Sequence, residues 1–198
     1  MQQSSQNSLI SPRSAILIAM IAVAVAVRLL IFFVPGALPY NFTPVEAIAL
    51  FGGAYFSDRR LAFLVPLGAM ALADAVILFN LSGEMAGYWY RSAPVVYACI
   101  AATVFGGFGL RGRIGVPRVA GFSVASAVFF FLVTNFAVWA VADSGGSEAC
   151  TRGLLPCYVA ALPFFKGTLA GTLVWTAILF GAFELMRRNW TSLQTSTA

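Results

Sequence analysis

Five side chains stand out because long apolar runs rarely carry their types. Arg28, Glu46, Asp74 and Lys166 are ionisable and Asn135 is an amide, and each lies in a stretch built mostly of Ala, Val, Ile, Leu and Phe. A charge inside a hydrocarbon layer is costly unless it faces a partner, a cavity or water, so such residues mark either function or a structural lock. Two chemistries fit. In the first, the five line a pocket for a small solute: Asp74, Asn135 and Lys166 contact its polar groups, and Arg28 pairs an acid on solute or protein. In the second they are ion pairs that hold helices together, for example Arg28–Glu46 or Asp74–Lys166, with Arg28 reaching to the interface along its aliphatic stem. Asp74, between Ala73 and Ala75, is the strongest member. Glu46 is the weakest, because it stands where its segment starts and could simply cap it in water.

Aromatic residues gather on the same side as these groups: Tyr40, Tyr88, Trp89, Tyr90, Tyr97, Trp139 and Tyr158. An interfacial belt accounts for most of them. A cover over a flat ligand is the sharper reading, with Tyr88-Trp89-Tyr90 its best candidate and Tyr97 and Trp139 lining residues. Cys150 and Cys157 share one loop and can close a disulfide where that side is oxidising; Cys99 reads as a packed thiol. The chain has no His. That removes Cys/His metal sets and Ser/His or Cys/His nucleophile–base pairs, and no Ser motif accompanies Lys166. The expectation is a protein that is not an enzyme and uses no metal or cofactor.

Composition dictates what must position these residues. Of 198 residues, 60% are hydrophobic and 10% charged, with a net charge of +5. A soluble fold could not cover so much apolar surface, and disorder requires the opposite balance. The positive charge is not read as a nucleic-acid footprint, since the basic residues fall between apolar runs. Those runs give six spans, at about 14–34, 44–57, 61–81, 93–110, 118–142 and 158–186. The expected organisation is a disordered tip at 1–13, one transmembrane domain at 14–188 and a tail at 189–198. Span 2 is short, since about 14 residues rise only about 21 Å against a core of about 30 Å. Charge placement nevertheless favours a crossing. With the N-terminus inside, Arg13, Arg59, Arg60, Arg111, Arg113, Arg118, Arg187 and Arg188 fall on the inner side, and only Arg91 and Arg152 on the outer. Both termini are then cytoplasmic. The outer connections, 35–43, 82–92 and 143–157, are the longer ones, and the five polar residues lie in the outer half. Glu184 near Arg187 and Arg188 reads as an ordinary helix-end pair.

Small residues recur four apart at Ala15/Ala19, Ala22/Ala26 and Gly167/Gly171, a spacing that lets helices approach closely. Gly52-Gly53, Pro66 and Pro163 are expected to bend or loosen their helices. Gly-Gly follows no strand and no Walker motif occurs, so phosphate binding is not indicated.

Three stretches carry a resemblance: Asn41-Phe-Thr-Pro-Val-Glu-Ala-Ile-Ala-Leu-Phe-Gly-Gly-Ala-Tyr-Phe56, Phe130-Phe-Leu-Val-Thr-Asn-Phe136 with Trp139, and Gly153-Leu-Leu-Pro-Cys-Tyr158 leading to Pro163-Phe-Phe. Over roughly residues 35–185 the chain resembles a family of six-span bacterial transport-type membrane proteins without assigned chemistry. That family is similar in architecture to the S-components of energy-coupling-factor (ECF) vitamin transporters. The resemblance implies an all-α six-helix bundle in the bacterial cytoplasmic membrane and an outward-facing pocket for a small water-soluble micronutrient. It also implies that the Ala15/Ala19/Ala22/Ala26 face meets an energising module of coupling subunit and ATPases. Cobalamin-handling S-components use an aspartate in the third helix, which Asp74 matches, and a cysteine shortly after it, which this chain lacks; Cys99 lies well beyond. The competing expectation is a structural or assembly membrane protein.

Overall fold

The computed structural model describes residues 11–81, 83–141, 148–190 and 193, and only the helical backbone of 83–86 and 88–90. The side chains of Tyr88, Trp89 and Tyr90, most of the 1–13 tip and most of the 189–198 tail lie outside the described residues. Helices account for nearly all the rest: α1 Pro12–Phe33, α2 Val45–Tyr55, α3 Arg59–Phe79, α4 Gly83–Gly107, α5 Val116–Ala140, the single turn α6 Glu148–Thr151, and α7 Leu154–Asn189, with a 3₁₀ turn at Phe108–Leu110. No strand occurs among the described residues.

Local sequence explains the starts. The Ser11 hydroxyl accepts from the Ser14 amide at 3.1 Å while Pro12 occupies the first turn, where a missing N–H costs nothing. Asp58 caps α3 by accepting from the Arg60 amide at 2.6 Å. Segment 82–92, expected as a loop, is helical from Gly83 onward, and α7 overruns its expected span at both ends. Hydropathy marks the apolar part of a helix, whereas helix-forming residues such as Glu84, Met85 and Ala86 carry the backbone on past it.

Polarity is arranged inside-out. Leu64, Leu72, Phe79, Phe105 and Leu155 are exposed, while Glu46, Asp74, Ser123, Thr172 and Thr176 are buried. Large outward-facing apolar surfaces on every long helix suit an apolar surrounding and not water. Among the described residues five helices, α1, α3, α4, α5 and α7, are long and apolar enough to cross a membrane, consistent with a multi-pass membrane protein.

The exception is α2. Its 11 residues rise only about 16 Å. All of them are buried, because α2 sits at the centre of the bundle with α1, α3, α4, α5 and α7 around it. Gly52 and Gly53 were expected to loosen this helix; they do the reverse. A Cβ on Gly52 would stand 2.5 Å from Pro66 Cγ, and one on Gly53 would strike the Val104 carbonyl oxygen and lie 3.0 Å from Gly107 Cα. The glycines bring three backbones together, the close approach that substitutes for hydrophobic driving force in lipid. Below them Phe51 and Tyr55 mesh with Phe180 and Phe183, the Tyr55–Phe183 centroids being 4.5 Å apart.

Candidate functional site

The chain does not enter α2 at the end of the bundle. Tyr40 to Thr43 run in non-helical conformation along α7, beside Gly167 and Gly171. A Cβ on Gly167 would meet the Tyr40 carbonyl oxygen, and one on Gly171 would lie 2.9 Å from the Thr43 nitrogen. The small-residue pair thus receives an irregular strand of chain and not another helix. Asn41, with φ of 59°, makes the turn in the left-handed region that Asn tolerates better than most residues. Gly167 is 13 residues into α7, about 20 Å from its start; Pro39, Tyr40 and Asn41 are exposed there, and the chain becomes buried at Pro44.

Glu46 therefore lies in the first turn of a helix that begins inside the bundle. Of the two readings of Glu46, a pocket residue or a cap in water, the second does not hold: it is 3% exposed. It stands nine residues before Tyr55, about 14 Å from the arginine-rich end. The Thr172 hydroxyl, midway along α7, donates to Glu46 Oε2 at 3.3 Å. Helix N-termini favour negative charge or carbonyl-type acceptors, which suits a carboxyl group here.

Arg28 and Asp74 also pair. Arg28 Nη2 donates to Asp74 Oδ1 at 2.7 Å, with side-chain exposures of 13% and 8%. Tyr97 Oη donates to the other oxygen, Oδ2, at 2.8 Å. The interior thus holds a polar core of two sets: Arg28, Asp74 and Tyr97 join α1, α3 and α4, and Glu46 and Thr172 join α2 and α7.

Lys166 and Asn135 are not part of it. Lys166 is exposed on α7. The cation beside Asp74 is Arg28, because helix rotation turns Lys166 outward. Asn135 Nδ2 donates to the Phe131 carbonyl of its own helix at 2.8 Å. It belongs, with Trp139, to a seam between α5 and α7: Cys150 and Cys157 are disulfide-bonded with Cα atoms 4.2 Å apart, Val138 and Trp139 pack on them, and Tyr158 Oη donates to the Leu132 carbonyl at 2.6 Å. Arg152 pairs with Glu148 at this exposed edge. Two apolar grooves lie elsewhere, one of 260 Å³ between α4 and α5 lined by Thr103, Phe122 and Ser126, the other on the outer face of α5.

The opposite end of α2 is held by residues that the sequence marked only as orientation signals or as a helix-end pair. Arg13 Nη2 donates to the Tyr55 carbonyl at 3.0 Å and its Nη1 to the Leu193 carbonyl at 3.1 Å. Arg111 Nε donates to the Gly53 carbonyl at 2.9 Å and Nη2 to the Phe56 carbonyl at 2.7 Å. Burial first, then Arg59, pushes the Arg111 guanidinium below its ordinary value, yet arginine stays cationic in proteins. Glu184 pairs with Arg187 at 2.7 Å as expected, and it also accepts from Tyr55 Oη at 2.6 Å. The spacing Thr168, Thr172, Thr176 was a readable signal that sequence analysis missed: three hydroxyls four apart mark one polar stripe on an apolar helix, and all three are buried.

A family model described as a family of unknown function, DUF6580, matches residues 8–193. No curated protein and no solved structure matches the chain.

Proposed function

The chain belongs to the DUF6580 family, and we propose that this member is a substrate-binding or transport protein of the bacterial cytoplasmic membrane, taking up a small water-soluble micronutrient. In this reading segment 36–44 and α2 together complete a sixth crossing. The arginine-rich end and both termini face the cytoplasm, as the distribution of basic residues suggests. The reading rests on one observation: α2 starts inside the bundle with Glu46 buried in its first turn, and the Arg28–Asp74–Tyr97 group ties α1, α3 and α4 together in the same bundle. A helix that begins inside a bundle suits recognition of a polar solute at its N-terminus. Arg28 and Asp74 would exchange their mutual contact for contacts to the solute, and Tyr97 would follow Asp74. Asn135 and Trp139 would act from the neighbouring seam.

The energising partner is also part of the proposal. Ala15, Ala19, Ala22 and Ala26 are all exposed on α1, while Leu17, Ile21 and Ala24 face the bundle. A flat small-residue face left uncovered within the chain suits close approach by a coupling subunit of an ECF-type module. The chain carries no Walker motif, so ATP would be used by other subunits.

The test is a thermal-shift screen of purified protein in detergent against a panel of vitamins and precursors, since a ligand that binds only the folded state raises stability. A hit should be lost in Arg28→Ala and Asp74→Ala. A hit that survives both substitutions would exclude the cluster as its site. The second reading is a structural lock, favoured by the 2.7 Å Arg28–Asp74 pair being fully internal. It expects no ligand-dependent shift and a lower folding yield in both variants.

A further inference from the structure

The corner where α4 gives way to α5 gathers arginines that no carboxylate answers. Arg111 Cζ stands 4.2 Å from the Phe108 ring centroid, and Arg59 Cζ, from the start of α3, 6.0 Å from the same ring. Arg118, exposed in the first turn of α5, donates to the Gly109 carbonyl from Nε at 3.2 Å and from Nη2 at 2.9 Å. Its Cζ lies 5.8 Å from the Phe122 ring centroid. None of these three enters an ion pair among the described residues. Of the acids at this end, Asp58 caps α3 through the Arg60 amide, and Glu184 is held by Tyr55 and Arg187. Guanidiniums gathered without a counter-charge repel one another, so the corner favours an anion.

The 260 Å³ groove between α4 and α5 starts at the same place. Phe122 belongs to both features: a Cβ on Gly109 would stand 2.8 Å from its Cζ, and it lines the groove with Thr103, Ser126 and Phe129. Ala102, Ala125 and Phe129 on the groove walls are exposed, on the surface that meets lipid in a membrane-spanning chain. The groove hydroxyls are spent within their own helices, Thr103 donating to the Cys99 carbonyl and Ser126 to the Ser123 carbonyl, both at 2.9 Å. A polar solute finds no free donor there, whereas hydrocarbon needs none. Phe122 to Phe129 covers about 10 Å of α5, so the volume corresponds to a cross-section of about 26 Å², against about 80 Å² for a helix about 10 Å across. The groove takes a single chain and not a helix.

We propose that this corner and groove form one site for an anionic phospholipid. The phosphate meets Arg118, Arg59 and Arg111 add positive potential, and one acyl chain runs along Phe122, Ala125 and Phe129. Arginine suits a phosphate because its planar fork donates two hydrogen bonds at once. Arg118 precedes Phe122 by four residues, about 6 Å of helix, so charge and apolar groove follow each other in the order of headgroup and chain. The site takes nothing from the transport reading and requires only that the chain lies in a bilayer.

The experiment is native mass spectrometry of the full-length protein in a neutral detergent, titrated with phosphatidylglycerol or with phosphatidylcholine of the same acyl chains. Wild type should bind the anionic lipid about tenfold more tightly. Arg118→Gln should remove most of that preference. Arg188→Gln, at an exposed arginine of the same end on α7, which does not line the groove, should keep it. Ala125→Phe fills the groove and should weaken both lipids alike. Equal affinities in wild type overturn the proposal, and so does unchanged binding in Ala125→Phe. Equal losses in Arg118→Gln and Arg188→Gln would reduce the effect to general positive charge and overturn the site. Competition by inorganic phosphate at the lipid's own concentration would leave an anion site without a chain. A dimer that Ala125→Phe dissociates would give the groove to a second copy of the chain; either result sinks the lipid. Circular dichroism checks folding, and if one variant fails to fold, the other and the wild-type preference still decide.

Discussion

At its C-terminal end α2 delivers carbonyl groups to two arginines, with Gly53 and Phe56 held by Arg111 and Tyr55 held by Arg13, and it adds a tyrosine–glutamate–arginine chain through Glu184 and Arg187. At its N-terminal end the same helix has no side-chain cap; it is fed by an irregular segment and presents Glu46 to one threonine hydroxyl. Both ends terminate inside protein, and the helix is too short to reach a membrane surface at each. The C-terminal carbonyls, at the negative end of the helix dipole, attract cations that Arg13 and Arg111 supply. The N-terminal end is satisfied by fewer and more exchangeable contacts. The contrast teaches that one end is an anchor and the other a place where contacts can be traded, as a binding or switching site requires.

Breaking the anchor should have the largest effect. Arg111→Ala leaves the carbonyls of Gly53 and Phe56 without their donor and removes a guanidinium stacked 4.2 Å from the Phe108 ring centroid. Unsatisfied acceptors of this kind cost about 1–3 kcal/mol each, so a loss of about 2–4 kcal/mol is expected, allowing for water reaching this edge. Thermal denaturation in detergent would measure it. A loss smaller than that of every substitution at the N-terminal end would reverse the comparison.

Lifting the irregular segment should come next. In Gly167→Val the new side chain collides with the Tyr40 carbonyl, and residues 40–44 must move off α7. Overpacking of this sort costs about 1–3 kcal/mol. The matched control is Gly68→Ala, whose Cβ would meet nothing within 4 Å; it should be neutral or slightly stabilising, since alanine is favoured over glycine in a helix by about 1 kcal/mol. Equal losses in the two variants would mean that the close approach at Gly167 has no energetic weight.

Sequence revealed the long helices and the costly charges, and the reason is the same for both: each depends on the sum of side-chain transfer energies along one segment. Arg28 and Asp74 were conspicuous because nothing polar surrounds them. Their pairing was not legible, since whether Asp74 meets Arg28 or Lys166 depends on the rotation of three helices about their axes. The depth of α2 was also hidden, because an apolar helix buried in protein and one facing lipid have the same composition. Gly52 and Gly53 looked like weak points; only the positions of Pro66 and Gly107 turn them into contacts. The roles of Arg13 and Arg111 were masked by their use as orientation signals, which explains their side but not the carbonyls they bind.

A milder cut at the anchored end is Tyr55→Phe, which removes only the 2.6 Å hydrogen bond to Glu184 and keeps the ring against Phe183. Because Glu184 retains Arg187, about 1–1.5 kcal/mol should be lost. A larger loss would indicate that the tyrosine, and not the arginines, is the main anchor.

The smallest change is expected at Glu46 itself. If its carboxyl is neutral at rest, Glu46→Gln replaces one uncharged planar group by another of the same shape, and the amide oxygen can still accept from Thr172. Stability should then shift by less than about 1 kcal/mol, the range of near-isosteric replacements that leave a hydrogen bond in place. If Glu46 were instead an anion, Arg28 would still be paired with Asp74, and removing the surplus buried charge would stabilise the protein by more than about 1 kcal/mol. Denaturation of the variant therefore separates the two charge states. A small effect at Glu46 beside a large one at Arg111 would locate the rigidity of α2 at its C-terminal end and leave its N-terminal end free to change partners.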